Sequence, residues 1–217
     1  MFENLSVSDI FPTPVWTIDL AADVAGPMNA KLMMAIEALL GGRPPIPPGA
    51  NWQTDPVLHQ RPEFAEFTKL AERAGRAAAQ YLKLQARDLA VTGCWANVNP
   101  PGGRNTAHTH PNNYLSGVYY VAMPAGEGRI VFEDPRPAAA VMMPRVAEFT
   151  PHNANSMTFE VKPGRMVLFP AWLPHSVPVN RSTQERVSIA FNLMFTQFVG
   201  HESAPLWAGT VAVPGRS

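Results

Sequence analysis

Cysteine is all but missing. Cys94 stands alone among 217 residues, so the chain can form no disulfide framework of its own, and a single thiol fits a reducing compartment. Cys94 itself reads as a small buried hydrophobe on a strand. A surplus of one charge is missing too: 17 Lys and Arg stand against 17 Asp and Glu. That balance offers no footprint for nucleic acid or an anionic membrane, and any charged ligand must be met locally. No apolar run approaches the roughly 18–20 residues of a membrane span. Residues 1–20 carry Glu3 and Asp9 where a secretory leader has a basic segment, and no apolar stretch follows them. The expectation is a cytoplasmic protein with neither nucleic acid nor membrane as partner. There is no internal repeat and no low-complexity tract.

Proline is plentiful, with 23 residues, some of them in Pro44-Pro45-Ile46-Pro47-Pro48 and most others single beside strand-like runs. This suggests shaped loops. Phe11 to Leu20 reads as an extended segment that Pro12 and Pro14 push toward a sheet edge. Asp23 to Leu40 has apolar residues at helical spacing, ended by Gly41-Gly42. Gly42 to Asp55, carrying Trp52, reads either as a lid or as a static surface connection. Pro62 to Leu84 is an amphipathic helix, with Phe64, Phe67, Leu70, Ala71, Ala74, Ala78, Tyr81 and Leu82 on one stripe.

From Asp88 onward the period changes to two. Val91 to Asn99, Tyr114 to Met123, Arg129 to Glu133, Ser156 to Val161, Arg165 to Phe169, His175 to Val179 and Arg186 to Phe195 read as strands between Gly, Pro and Asn turns. Helices first and strands after give an α+β, mainly β chain with helices on one face of a barrel or sandwich. We expect one domain, 1–217: residues 1–87 as an N-terminal strand and buttressing helices, 88–197 as the β core, 198–217 as a C-terminal tail.

The chemistry concentrates at His108-Thr109-His110. Imidazoles at i and i+2 face one side of an extended backbone, roughly 6–7 Å apart, so one ion can lie between them. His175, on a later strand, is a third candidate, and imidazole suits Fe, Zn, Cu and Ni alike. Arg186 follows His175 by 11 positions. A hairpin of that length returns it beside the metal on the neighbouring strand, with Ser188, Ala190 and Asn192 on the same face. An arginine inside a barrel needs an anion, and a bound dicarboxylic acid would supply one. Trp95, Asn97 and Asn99 share a face. Of Tyr119 and Tyr120 one points into the barrel, and Gly117 marks a close backbone approach or a bulge. His59, His152 and His201 read as ordinary core or surface residues, Glu133 and Asp134 as strand-end charges, and Arg104-Asn105 as a solvated turn or a substrate contact.

His108-x-His110, Tyr119-Tyr120-Val121, Gly128-x-Ile130-Val131-Phe132, His175-x-Val177 and Arg186-x-Ser188 together resemble the 2-oxoglutarate/Fe(II)-dependent oxygenases over about Gly93 to Phe195. The likeness is to the prolyl-hydroxylase-like branch, and more so to a group of small bacterial and phage oxygenases carrying Trp-x-Asn-x-Asn, His-x-His-Pro and Ser-Gly-Val-Tyr-Tyr. The resemblance implies a double-stranded β-helix, a cupin-like jelly roll of eight strands with N-terminal helices packed on one sheet. It implies an iron-dependent dioxygenase that hydroxylates a C–H bond of a small-molecule or peptide substrate while 2-oxoglutarate, the cosubstrate, is decarboxylated to succinate.

Carried over, His108 and His175 become iron ligands and His110 takes the place usually held by aspartate. Arg186 binds the far carboxylate of 2-oxoglutarate, helped by Ser188 and Tyr120, with Asn97 near cosubstrate or substrate. A histidine in place of the carboxylate adds one positive charge to the centre. Either His110 ligates, or it stands behind the metal and water or Asp134 completes the set. A three-histidine, cupin-like metal enzyme without 2-oxoglutarate and a non-catalytic barrel are the alternatives. Trp52, Arg104 and Phe149 to Asn155 suggest a polar, partly aromatic rim, and exposed strand edges would allow a homodimer.

Overall fold

Two helices and ten strands carry the helical and alternating patterns, and the computed structural model describes them over residues 2–199. His201 and nearly all of the expected tail lie outside the described residues. The first extended segment forms β1 (Trp16–Asp19), which starts only after Pro12 and Pro14 and sits at a sheet edge. Helix α1 (Ala22–Leu40) buries Ala25, Met28, Leu32 and Ile36. After it, Trp52–Gln53 forms a two-residue strand, β2.

A 3₁₀ turn opened by Pro62 leads into α2 (Ala65–Tyr81), which buries Phe67, Ala71, Ala74, Gly75, Ala78 and Ala79. The apolar stripe predicts a helix through Leu84, yet the helix stops three residues earlier. Lys83 takes a left-handed φ of 55°, and the Leu84 and Lys83 N–H groups donate back to the Ala79 and Gln80 carbonyls, each at 3.0 Å. This is a Schellman end with lysine where glycine usually stands.

The remaining strands are β3 (Leu89–Asn99), β4 (Asn105–His108), β5 (Leu115–Ala122), β6 (Arg129–Glu133), β7 (Ser156–Glu160), β8 (Arg165–Pro170), β9 (His175–Val177) and β10 (Arg186–Phe195). All pair antiparallel, in a six-stranded sheet of order β1-β8-β5-β10-β3-β2 and a four-stranded sheet of order β4-β9-β6-β7. Four strands of β3–β10 lie in each sheet, which makes the eight-stranded double-stranded β-helix. A short helix, α3 (Thr196–Val199), follows β10. No described helix is long and apolar enough to cross a membrane.

Strand alternation sorts the side chains into two cores. Val187, Ile189, Phe191 and Leu193 of β10 pack with Cys94, Ala96 and Val98 of β3 against the buried faces of α1 and α2. Cys94 is fully buried there, and burial pushes its thiol up to about 12. The opposite faces meet the second sheet, where Tyr120, Ile130, Phe132, Val167, Phe169 and Leu173 form a separate core. Tyr119 belongs to the helix side and donates its hydroxyl to Asn29 Oδ1 of α1 at 2.6 Å.

The hairpin expected between His175 and Arg186 does not form. β9 lies in the small sheet and β10 in the large one, so residues 178–185 cross between sheets and Arg186 reaches the interior from the wall facing His175. Asn180, 1% exposed, fixes this crossing: its Nδ2 donates to the Asn99 and Gln184 carbonyls, and its backbone pairs with Gly102 and Gly103.

Gly117 stands opposite Phe191, and a Cβ there would lie 2.3 Å from Phe191 Cζ. Glycine lets the ring lie on the backbone of β5. Gly117→Ala is expected to destabilise the fold by about 1–3 kcal/mol through overpacking, measured by urea denaturation, with part of the loss recovered in Gly117→Ala/Phe191→Leu.

Candidate metal centre

The centre is built by one strand pairing and one bend. β4 ends at His108 and β9 begins at His175, and antiparallel pairing sets these two directly opposite each other. Past β4 the chain turns, the His110 N–H donates to the Ala171 carbonyl at 2.9 Å, and its ring comes back toward the other two. Ring centroids lie 4.9 Å apart for His108 and His110, 4.4 Å for His108 and His175, and 5.1 Å for His110 and His175. One nitrogen from each ring lies within 4.8 Å of the others.

Their orientations are set from behind. His175 Nδ1 donates to the Leu173 carbonyl at 3.0 Å and His108 Nδ1 to the Thr106 carbonyl at 2.7 Å, which leaves each Nε2 with its lone pair directed into the cluster. Nε2 of His110 and of His175 are 3.3 Å apart. Two nitrogens bound at about 2.1 Å to one ion, at 90° to 109°, stand roughly 3.0–3.4 Å apart, so the pair is spaced for a shared metal. Phe169 packs 4.6 Å from the His175 ring, and Trp95 5.6 Å from His110. Burial, reinforced by His175 and His108, holds His110 down to about 3. Burial likewise holds His175 down to about 4. Both are neutral near pH 7, the form that ligates metal.

Asp134 is not in the cluster. Its carboxylate is fastened to Arg136 through the backbone N–H at 3.0 Å and the guanidinium at 2.7 and 2.9 Å. Among the described residues the metal-competent group is His108, His110 and His175, with no carboxylate.

A polar row continues along the interior wall. Ser188 stands opposite Asn97 of β3 on one side and Tyr120 of β5 on the other, so the three share the interior face. Arg186, on the same face of β10, is 2% exposed. Its guanidinium donates to the Pro178 carbonyl at 2.9 Å and the Glu127 carbonyl at 3.3 Å, while its Nε and the Tyr120 hydroxyl are buried without a partner. Burial pushes the Tyr120 phenol up, offset in part by Arg186, and burial pulls the Arg186 guanidinium down. A buried cation whose hydrogen-bond acceptors among the described residues are backbone carbonyls, with the Glu127 carboxylate acting on it through space and an unsatisfied phenol nearby, is short of a directly bound anion. A carboxylate is the kind of group that accepts from both donors.

Asn97 has a further contact that its sequence position does not show: its Oδ1 accepts from Asn51 Nδ2 at 3.1 Å and Gln53 Nε2 at 2.7 Å. These two amides line a cleft of about 410 Å³ with Gly49, Arg104, Thr106 and His108. The loop of residues 42–55 is therefore one wall of the cleft, pinned through Arg104 N–H to the Gly49 carbonyl at 3.1 Å and Thr54 N–H to the Ala96 carbonyl at 3.2 Å. Trp52 is not on the rim. Alternation turns it away, its Nε1 donates to the Pro44 carbonyl at 2.9 Å, and Arg43 caps its ring at 5.3 Å. Phe149 is exposed and not among the lining residues, which leaves this rim polar rather than aromatic. His152 pairs with exposed Asp9 at 3.0 Å.

Residues 93–192, all but the ends of the β-helix, match the family described as "Putative 2OG-Fe(II) oxygenase". No curated protein matches the chain in sequence. Among solved structures, the non-heme alpha ketoglutarate dependent epimerase SnoN from nogalamycin biosynthesis is 14% identical with a TM-score of 0.61, covering 93% of this chain and 91% of that one. A Pseudomonas putida prolyl-4-hydroxylase is 18% identical with a TM-score of 0.54, covering 84% of this chain and 92% of that one. A Burkholderia pseudomallei oxidoreductase of the 2OG-Fe(II) oxygenase family is 17% identical with a TM-score of 0.54, over 82% and 84%. At such identities the structural likeness is one of fold. The family match over residues 93–192 and the histidine triad within that stretch make the β-helix of this chain similar to those of the 2-oxoglutarate/Fe(II)-dependent oxygenases.

In the unfolded chain both buried imidazoles protonate near pH 6.5, so below that value the unfolded state binds more protons and the fold loses stability as pH falls toward 4. Metal-free protein is expected to weaken between pH 6.5 and 4 by up to about 1.4 kcal/mol per pH unit for each imidazole. Urea midpoints across that range check it. His110→Gln and His175→Gln should each flatten the slope, and an unchanged slope in both would place the protons on other groups.

Proposed function

We propose that the chain holds one Fe(II) through His108, His110 and His175 and one 2-oxoglutarate through Arg186, and hydroxylates a C–H bond of a small-molecule or peptide substrate. The observation that carries this reading is the pairing, inside one barrel, of three converging imidazoles with a buried guanidinium that, among the described residues, hydrogen-bonds only backbone carbonyls and enters no ion pair. When bound, iron and 2-oxoglutarate supply dioxygen activation, with 2-oxoglutarate ending as succinate and carbon dioxide and one oxygen atom going to the substrate.

The chain's own residues hold, orient and exclude water. The carbonyls of Thr106 and Leu173 keep His108 and His175 in the tautomer that ligates through Nε2. Arg186 receives the far carboxylate by charge-assisted hydrogen bonds, Nε included, and the Tyr120 hydroxyl donates to the same group. Ser188 and Asn97, in the same row, border the cosubstrate. Phe132, Val167, Phe169 and Leu173 keep the far half of the barrel dry. Exposed His108 leaves the centre open toward the cleft, where substrate meets it.

His110 makes the donor set neutral, so the centre keeps the full double charge of the ion. A dianionic cosubstrate balances that charge, and affinity for 2-oxoglutarate gains from the substitution while metal retention without it suffers. The all-histidine set also favours one rival, a metal enzyme that binds its substrate directly and uses no 2-oxoglutarate.

Anaerobic titration separates them. The wild-type chain is expected to take one Fe(II) and, on adding 2-oxoglutarate, to develop a metal-to-ligand charge-transfer band in the visible. Arg186→Gln should keep the metal stoichiometry and weaken 2-oxoglutarate roughly 10- to 100-fold. Iron uptake without the band in the wild type supports the rival instead.

A further inference from the structure

The cleft beside His108 presents one kind of charge. Among the described residues that line it, Arg104 is the arginine and none is a carboxylate. Among the described residues Arg104 enters no ion pair, in contrast to Arg43, Arg136 and Arg165, each of which has a carboxylate partner. Its backbone is held in place: the Arg104 N–H donates to the Gly49 carbonyl at 3.1 Å, and the preceding Gly103 is buried and accepts from the Asn180 N–H at 2.9 Å. Gly49 has a φ of +84°, and a Cβ on it would lie 3.8 Å from Arg104 Nε. The guanidinium stem thus runs along the Gly49 turn into the cleft.

The neutral groups are also oriented. Asn51 and Gln53 spend an amide N–H each on Asn97 Oδ1, which leaves their own carbonyl oxygens as acceptors. Asn105 accepts from Asn99 Nδ2 at 3.0 Å through its Oδ1, which leaves its Nδ2 as a donor beside Arg104. The cleft therefore offers one guanidinium and a neighbouring donor at one place and two acceptors at another.

We infer that the primary substrate is a small carboxylic acid bearing amino or hydroxyl groups, whose carboxylate is received by Arg104 and whose N–H or O–H groups face Asn51 and Gln53. A single guanidinium matches a monoanion bidentately, whereas a phosphate dianion calls for more cationic donors than the cleft supplies. A volume of about 410 Å³ lies at the low end of small-molecule sites, which suits a compound of amino-acid or hydroxy-acid size. The inference rests on the histidine cluster being the reaction centre, since it is His108 that joins the cleft to the cluster.

The test uses the full chain and a panel of amino acids and hydroxy acids, each paired with its primary amide, together with inorganic phosphate and a phosphomonoester. Thermal shift without iron reads the cleft alone. Perturbation of the anaerobic Fe(II)·2-oxoglutarate band reads it in the loaded protein. Carboxylates are expected to bind and their amides to fail. Arg104→Ala should weaken the bound acids roughly 10- to 100-fold, with Arg104→Lys in between and the affinity for 2-oxoglutarate within twofold of wild type. The inference is overturned if none of the carboxylates binds, if amides or phosphates bind as well as acids, or if Arg104→Ala leaves the acids unaffected. Loss of 2-oxoglutarate binding in Arg104→Ala overturns it in another way, by assigning Arg104 to the cosubstrate. Absence of the iron band in the wild type bears on the centre itself, while the iron-free shifts still report on Arg104.

Discussion

The rest of the structure depends on the burial of a guanidinium between two β-sheets. Arg186 is 2% exposed, and removing a cation from water is costly unless partners surround it. Here the partners are the carbonyls of Glu127 and Pro178, from the segments before β6 and after β9. Those segments must therefore close over one end of the barrel, and Asn180 fastens the second of them to Asn99 and Gln184. The large sheet, backed by α1 and α2, supplies the rigid wall. The small sheet supplies His108 and His175 across from it. A packed interior that is apolar near Phe132 and Phe169 but polar along Asn97, Ser188 and Tyr120 is what two sheets of opposite duty produce.

Much of this was legible in the sequence because it depends on period and order. Seven strands from Asp88 onward read correctly, Arg129–Glu133 and Arg186–Phe195 to the residue, since a strand whose two faces meet different surroundings announces itself by alternation of residue type. The edge position of β1 followed from two prolines that cannot donate to a ladder. Strand pairing sets His108 opposite His175, whereas His110 joins them from a bend beyond the end of β4 and not by the i, i+2 alternation of an extended strand; Tyr119 and Tyr120 part as alternation requires.

What escaped was carried by backbone conformation and by contacts between segments distant in sequence. β4 is short, largely exposed and polar, so it has no hydrophobic period to read. The end of α2 is set by a left-handed lysine, for which residue type gives no warning. The supposed hairpin after His175 failed because loop length does not say whether two strands share a sheet, and a crossing between sheets can use as few residues as a turn within one. Trp52 drew attention as the aromatic residue of its loop, yet its neighbours Asn51 and Gln53 reach the cleft. Only pairing with β3 settles that parity, and polar amides give no signal in isolation.

Charge links these features. Net charge is zero over the chain, but its distribution is not even: Asp19, Asp134, Glu37 and Glu185 are occupied with surface lysines or arginines. Among the described residues the imidazole cluster includes no carboxylate, Arg186 enters no ion pair, and the cleft keeps Arg104. An aspartate at position 110 would have neutralised part of a bound ion from within. Histidine leaves that task to whatever enters, so anions arriving from solution complete the electrostatics that the chain leaves open. The chain thus has two cationic groups without a carboxylate ion pair near this region, Arg186 buried between the sheets and Arg104 exposed in the cleft that His108 lines. On the readings proposed above, each of them selects its own anion by depth, with the cosubstrate held between the sheets and the substrate in the cleft.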